Sequence, residues 1–118
     1  MPGASGRGRP GASALVASLF EAPSDLFACD VVVAEALSAG TEEELGVIRS
    51  LLGALEYVST HPDAAAWAGE SRRTRRVVGP RSLADAIIGG VAWWLGATVV
   101  TRNGRDFERL GVPVLSYE

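Results

Sequence analysis

Apolar positions along this chain follow two rhythms that alternate from one end to the other. In ALVASLFE, residues 14–21, Leu15 and Leu19 stand four apart, as do Val16 and Phe20, which is the spacing of one helix face. Pro23 stops that run. LFAC fits a short buried strand, and Asp30 then supplies an N-cap for VVVAEALSAG, closed by Gly40. Thr41 and Glu44 have capping-box spacing ahead of ELGVIRSLLGALE, where Leu45, Ile48, Leu52 and Leu55 trace one apolar stripe. EYVST reads as a short strand. Thr60 or His61 opens the helix PDAAAWAGESRRTRR, with Pro62 in its first turn and Gly79 and Pro80 behind it. Ser82 starts a helix through ADAIIGGVAWWLG that Gly96 ends. TVVT is then a β-branched strand, RDFERL a short helix and PVLSY a last strand.

Strands that alternate with helices imply a parallel sheet covered on both faces, a three-layer α/β sandwich. Residues 1–13 do not take part in the pattern. They are Gly, Pro, Ser and Ala with Arg7 and Arg9, too little apolar surface to offset ordering, so a disordered tail is expected before a single domain over 14–118. Gly6, Gly8 and Gly11 fall in GxGxxG spacing, but no strand precedes them and Pro10 interrupts the turn, so the match is accidental.

Composition narrows the class. The chain has 118 residues, 47% apolar and 21% charged, which suits one globular domain. No uninterrupted apolar run reaches the roughly 20 residues of a membrane span, and no apolar h-region follows Arg7 and Arg9. A soluble, cytoplasmic protein is expected. Cys29 is the sole cysteine, so no intrachain disulfide forms, and its apolar neighbours suggest a buried thiol. All eleven basic residues are arginines against fourteen acids, a net charge of −3 that does not advertise nucleic acid in bulk. Distribution says more, because Arg72, Arg73, Arg75, Arg76 and Arg81 fall in one segment, either a solvated helix face or a phosphate contact.

Candidate chemistry rests on three acids. Glu35 lies past the end of LFAC, Asp106 past the end of TVVT, and Asp85 in the first turn of the helix between. Parallel strands deliver the residues beyond their ends to one crevice at the carboxyl edge of the sheet. Clustered carboxylates repel one another, and a hard divalent cation such as Mg²⁺ or Mn²⁺ is the usual way to hold them together ionised. Such an ion can activate water against a phosphodiester. Each acid also has a plainer role: Asp85 as the capping partner of Ser82, Glu35 as a surface carboxylate, Asp106 at the start of a short helix. Arg102 and Asn103, just beyond TVVT, are candidates to meet a phosphate or to orient Asp106, although turn chemistry also explains Asn103 and Gly104. His61 has no second His or Cys to share a zinc, and capping or exposure accounts for it. Trp93 and Trp94 fit core or partner packing better than base stacking.

LADAIIGGVAWWLGATVVTRNGRDFERL followed by PVLSY resembles the C-terminal half of PIN-domain ribonucleases, most closely the VapC-type toxins of type II toxin–antitoxin pairs. VVVAEALSAG with Glu35 resembles the same family's second acidic motif, and the resemblance covers about residues 14–118. It implies an Mg²⁺- or Mn²⁺-dependent endoribonuclease acting on structured RNA such as tRNA, silenced by a VapB-like antitoxin and usually a homodimer. Carried over by position, Glu35, Asp85 and Asp106 become metal or water ligands. Thr101 and Asn103 support the turn that presents Asp106, while Arg81, Arg102 and Asn103 face substrate, with Arg72 to Arg81 along the RNA approach. The family opens with an apolar strand ending in an Asp, and this chain has no such segment. The expectation is therefore a PIN-like α/β sandwich lacking its first strand and first acid, either an N-terminally shortened enzyme or a silent binding module that keeps dimer or antitoxin contacts.

Overall fold

A computed structural model describes residues 11–21 and 25–118, together with all their side chains except those of Val16 and Phe20. Residues 1–10, Pro23 and the Val16–Phe20 pair of the expected first helix lie outside this description. In chain order the elements are α1 (Ala12–Glu21), β1 (Phe27–Cys29), α2 (Asp30–Ala36), α3 (Glu42–Gly53), β2 (Glu56–Val58), α4 (Pro62–Arg75), α5 (Ser82–Leu95), β3 (Val99–Thr101), α6 (Gly104–Arg109) and β4 (Val114–Ser116). Every element read from the apolar rhythm is present. The first begins earlier than expected, since Ala12 and Ser13 already belong to α1. Among the described residues no helix is long and apolar enough to cross a membrane.

All strand pairing among the described residues is parallel, as the α/β reading requires. It does not run through one sheet: β1 pairs with β2, placing Phe27 beside Glu56 and Cys29 beside Val58, while β3 pairs with β4, placing Val99 beside Val114 and Thr101 beside Ser116. These are two separate two-stranded sheets. Helix α5 joins them. One buried cluster gathers Ala68, Val77, Ala86, Ala92, Val99, Phe107, Leu110 and Val112, a second gathers Cys29, Ala64 and Val91, and Ile88 on α5 packs against both.

Small residues let α4 and α5 approach closely. A Cβ on Gly90 would collide with the main-chain oxygen of Ala64, and one on Gly89 would stand 3.2 Å from Cδ1 of Leu110. Trp67 on α4 stacks on Trp93 of α5, and His61 stacks on Trp94, with ring centroids 5.7 and 4.6 Å apart. Both tryptophans of α5 therefore pack laterally and stay about half exposed.

Helix ends separate the local signals that hold from those that are displaced. Thr41 and Glu44 make both bonds of the capping box. His61 caps α4 through Nδ1, which accepts from the Asp63 N–H at 3.0 Å. Asp30 is not the N-cap of α2. Cys29 holds that position, and the Asp30 carboxylate instead accepts from Val31 N–H at 3.0 Å and, across the chain, from Thr60 N–H at 3.2 Å and Thr60 Oγ1 at 2.7 Å. These bonds lower the Asp30 pKa and tie the start of α2 to the segment after β2. The stripe on α3 is only half-buried, and none of that helix's residues is fully enclosed.

Candidate functional site

Asp85 stands in the first turn of α5, four residues after Arg81, and its main-chain N–H donates to Arg81 O at 3.0 Å. The expected capping partnership with Ser82 is absent. Ser82 is the first residue of the helix rather than its cap, and its hydroxyl accepts from Arg72 Nε and Nη2 at 3.3 and 3.0 Å. The Asp85 side chain is left to face a pocket of about 240 Å³, lined by residues 77–82 with Asp85, Asp106 and Arg109.

That placement costs the carboxylate part of its solvation. Asp85 is 6% exposed, and its pKa is raised, first by desolvation and then by the negative charges of Asp106 and Glu35, with Arg81 pulling it partly back down. Among the described residues none donates a hydrogen bond to it. A helix N-terminus alone would favour the ionised form, so burial and like charge outweigh the dipole here.

Asp106 reaches the same pocket from α6. Its Oδ2 accepts from Asn103 Nδ2 at 2.6 Å, and the turn before it is held by Asn103 N–H donating to Thr101 Oγ1 at 2.9 Å. Gly104 at the base of this turn packs closely on β4, where a Cβ would displace the Ser116 hydroxyl. The supporting geometry expected of Thr101 and Asn103 is thus present. Arg102 is exposed, with its guanidinium 5.6 Å from the centroid of the Tyr117 ring.

Glu35 is not grouped closely with the two aspartates. Its Oε2 lies 3.3 Å from Arg81 Nη2, so the third acid is held by an arginine. Among the described residues no three His, Cys, Asp or Glu side chains group closely enough to hold a metal ion. The expected three-carboxylate cage is therefore not formed. An all-oxygen pair of carboxylates at a water-accessible pocket does suit Mg²⁺ or Mn²⁺, since Mg²⁺ is commonly held through one or two carboxylates with water and substrate completing its shell. Asp85 and Asp106 are the residues that fit.

The arginine segment divides by role. Arg72 holds Ser82, Arg75 Nη1 donates to Arg109 O at 3.3 Å, and Arg81 holds Glu35. Arg73 and Arg76 are exposed, and Arg76 closes α4 in the left-handed region at φ 52°. The Arg81–Glu35 pairing is not legible in the sequence. Arg81 standing four before Asp85 is the available signal, but nothing in that spacing points to α2.

A family model for the PIN domain matches residues 4–113. This chain belongs to the PIN domain family. Among solved structures, the PIN domain here is similar to a chain of "DNA bound VapBC" from Salmonella typhimurium, at 28% identity and TM-score 0.62, covering 75% of this chain and 72% of that one. It is also similar to a chain of FitAcB from Neisseria gonorrhoeae, at 19% identity and TM-score 0.69, covering 88% and 84%, and to one of FitAB bound to an IR36 DNA fragment, at 20% and 0.64, covering 86% and 80%. The last two likenesses speak for the fold alone. No curated protein matches the chain in sequence.

Proposed function

We propose that this PIN domain is the VapC-type toxin of a toxin–antitoxin pair, a metal-dependent endoribonuclease whose reaction takes place at the Asp85–Asp106 pocket. The observation that carries the reading is Asp85, a residue buried but for its face on the pocket, beside a second acid and with no hydrogen-bond donor of its own. Such a group is stabilised when a cation arrives.

Asp85 and Asp106 would hold Mg²⁺ or Mn²⁺. When bound, the ion supplies Lewis-acid stabilisation of charge on the phosphate and lowers the pKa of water. The chain's own residues do the remainder. Asn103 fixes one oxygen of Asp106, leaving the other for the pocket. Arg81 and Arg109, on the pocket wall, supply positive charge for an RNA backbone, and the exposed Arg73 and Arg76 add to the charge of the same segment. Glu35, paired with Arg81 on the pocket wall, would be free to orient water if Arg81 turned to the phosphate. The Salmonella relative belongs to a VapBC assembly, which supports a VapB-like antitoxin as partner; a homodimeric toxin in the cytoplasm is part of the same proposal.

A second reading has its own observation. With Glu35 tied to Arg81 and no three-acid group formed among the described residues, the chain also fits a catalytically silent module that keeps only antitoxin or dimer contacts. One pair of measurements separates the two: calorimetric titration with Mn²⁺, and cleavage of structured RNA by wild type and Asp85→Asn. The nuclease reading expects a specific Mn²⁺ site and cleavage that Asp85→Asn abolishes. Cleavage fully retained in Asp85→Asn overturns the site, and neither binding nor cleavage selects the silent module.

A further inference from the structure

Ser82 and Arg72 form a pair that the two aspartates do not account for. Ser82, the first residue of α5, is 5% exposed and lines the acid pocket together with Asp85 and Asp106. A serine hydroxyl has two acceptor lone pairs and one proton to donate. Arg72, in the last turn of α4, donates to Ser82 Oγ through both Nε and Nη2, at 3.3 and 3.0 Å, and so takes up both lone pairs. Capping the helix, ligating a cation and accepting a proton from water all need a free lone pair, and all three roles are closed to this hydroxyl. Only its proton remains available. Among the described residues the Ser82 O–H meets no acceptor, and the guanidinium on its oxygen turns it away from Arg72. A buried donor left without a partner costs free energy, so its acceptor must come from the pocket that Ser82 borders.

The surroundings select an anionic acceptor. Arg81 and Arg109 line the same pocket. At the start of α5, Arg81 provides no side-chain cap, and among the described residues the main-chain N–H groups of Leu83 and Ala84 meet no acceptor. An uncapped helix start carries partial positive charge. Arg72 adds to it indirectly, because a guanidinium bonded to the hydroxyl oxygen polarises the O–H and strengthens it as a donor.

We propose that the Ser82 hydroxyl donates a hydrogen bond to a non-bridging phosphate oxygen of RNA bound in the pocket, and that Arg72 is a positioning residue that fixes this orientation without touching the substrate. The inference rests on the reading of the pocket as the nuclease site. No proton is transferred: Ser82 keeps its O–H bond and acts only by binding. Arg72 therefore belongs to the substrate machinery through Ser82, whereas Arg81 and Arg109 stand on the pocket wall themselves.

The test reads binding rather than turnover: fluorescence anisotropy of a labelled RNA hairpin with the whole chain in Ca²⁺ at low salt, and Mn²⁺ affinity followed separately by calorimetry. Ser82→Ala should weaken RNA binding about tenfold or more, with unchanged circular dichroism and unchanged Mn²⁺ affinity. Ser82→Thr keeps the O–H and should bind RNA as wild type does. Arg72→Met should weaken RNA binding too, and the double variant should bind no more weakly than Ser82→Ala alone, because the arginine acts through the hydroxyl. RNA binding equal in wild type and Ser82→Ala, or Ser82→Thr as weak as Ser82→Ala, overturns the inference and leaves the nuclease site standing. A fall in Mn²⁺ affinity in Ser82→Ala would make Ser82 a metal ligand, and additive losses would make Arg72 a direct phosphate contact; either also overturns it. A wild type that binds no Mn²⁺ sinks the nuclease reading by itself, while the RNA arm still decides the role of Ser82.

Discussion

Asp85→Asn should make the metal-free protein more stable, and Mn²⁺ should reverse that order. The wild-type carboxylate is almost enclosed, accepts no hydrogen bond among the described residues, and faces two like charges. An uncompensated buried polar group costs roughly 1–3 kcal/mol in proteins. The low end applies, because Arg81 offsets part of the cost and water reaches the pocket. Removing the charge should then gain about 1 kcal/mol at pH 7, or roughly 4 °C in Tm for a domain of this size. The raised pKa fixes the pH dependence. Above it, Asp85 is ionised and the variant holds its full advantage. As pH falls through that value the folded wild type takes up a proton, and the advantage shrinks until it is gone below the ordinary carboxylate range.

Mn²⁺ at about a hundred times its Kd should stabilise the wild type by about 2.7 kcal/mol and leave Asp85→Asn unchanged. Thermal denaturation of both proteins at several pH values, with and without Mn²⁺, reads every arm. If Asp85→Asn is less stable than wild type at pH 7 without metal, Asp85 serves the helix terminus and the site argument fails. Equal stabilisation of both proteins by Mn²⁺ would place the ion elsewhere.

Other substitutions probe the supports of the site and the core beneath it. Asn103→Ala frees the Asp106 carboxylate and should weaken Mn²⁺ binding about tenfold with little change in Tm, read by calorimetry; unchanged affinity would remove Asn103 from the site. Leu110→Ala empties a fully buried position and should cost about 2–5 kcal/mol in urea unfolding. Gly90→Ala drives a methyl into the Ala64 carbonyl and should cost about 1–3 kcal/mol, whereas Gly69→Ala, in open space on α4, should not destabilise. Thr60→Val removes the side-chain bond that does most to lower the Asp30 pKa. The stability it contributes is present at neutral pH and lost as pH falls through the depressed value, so wild type and variant should converge in acid and differ at pH 7.

Features decided between neighbours in the chain are legible in the sequence, and features decided across it are not. Thr41 and Glu44 bond each other across three residues, and His61 with Pro62 settles the start of α4 locally, so both helix starts can be read directly. Asp30 misleads because its partner, Thr60, is thirty residues away, and that bond competes with the capping role a helix start suggests. Ser82 is displaced in the same manner by Arg72. At the site, Asp85 and Asp106 are legible because a strand end and a helix start place them irrespective of side-chain partners. Glu35 sits on the expected helix but takes a different neighbour. A flexible carboxylate goes to the nearest cation, and the sequence offers no rule that selects Arg81 over the pocket.

Arg81 links these observations into one electrostatic argument. It lowers the cost of ionised Asp85, bonds Glu35 and lines the acid pocket, so one guanidinium offsets charge that a divalent cation would otherwise offset. The pair with Glu35 is exposed enough that it contributes no more than about 1 kcal/mol. A cation that also drew in Glu35 would have to overcome only that much. Arg81→Gln should therefore raise Mn²⁺ affinity by no more than about fivefold if Glu35 then joins the site, and lower it if the guanidinium is needed to keep Asp85 ionised. The sign of the change distinguishes an arginine that competes with the metal from one that prepares its ligand, and Arg81→Gln combined with Glu35→Gln tells them apart a second time: the gain disappears in the first case and the loss persists in the other.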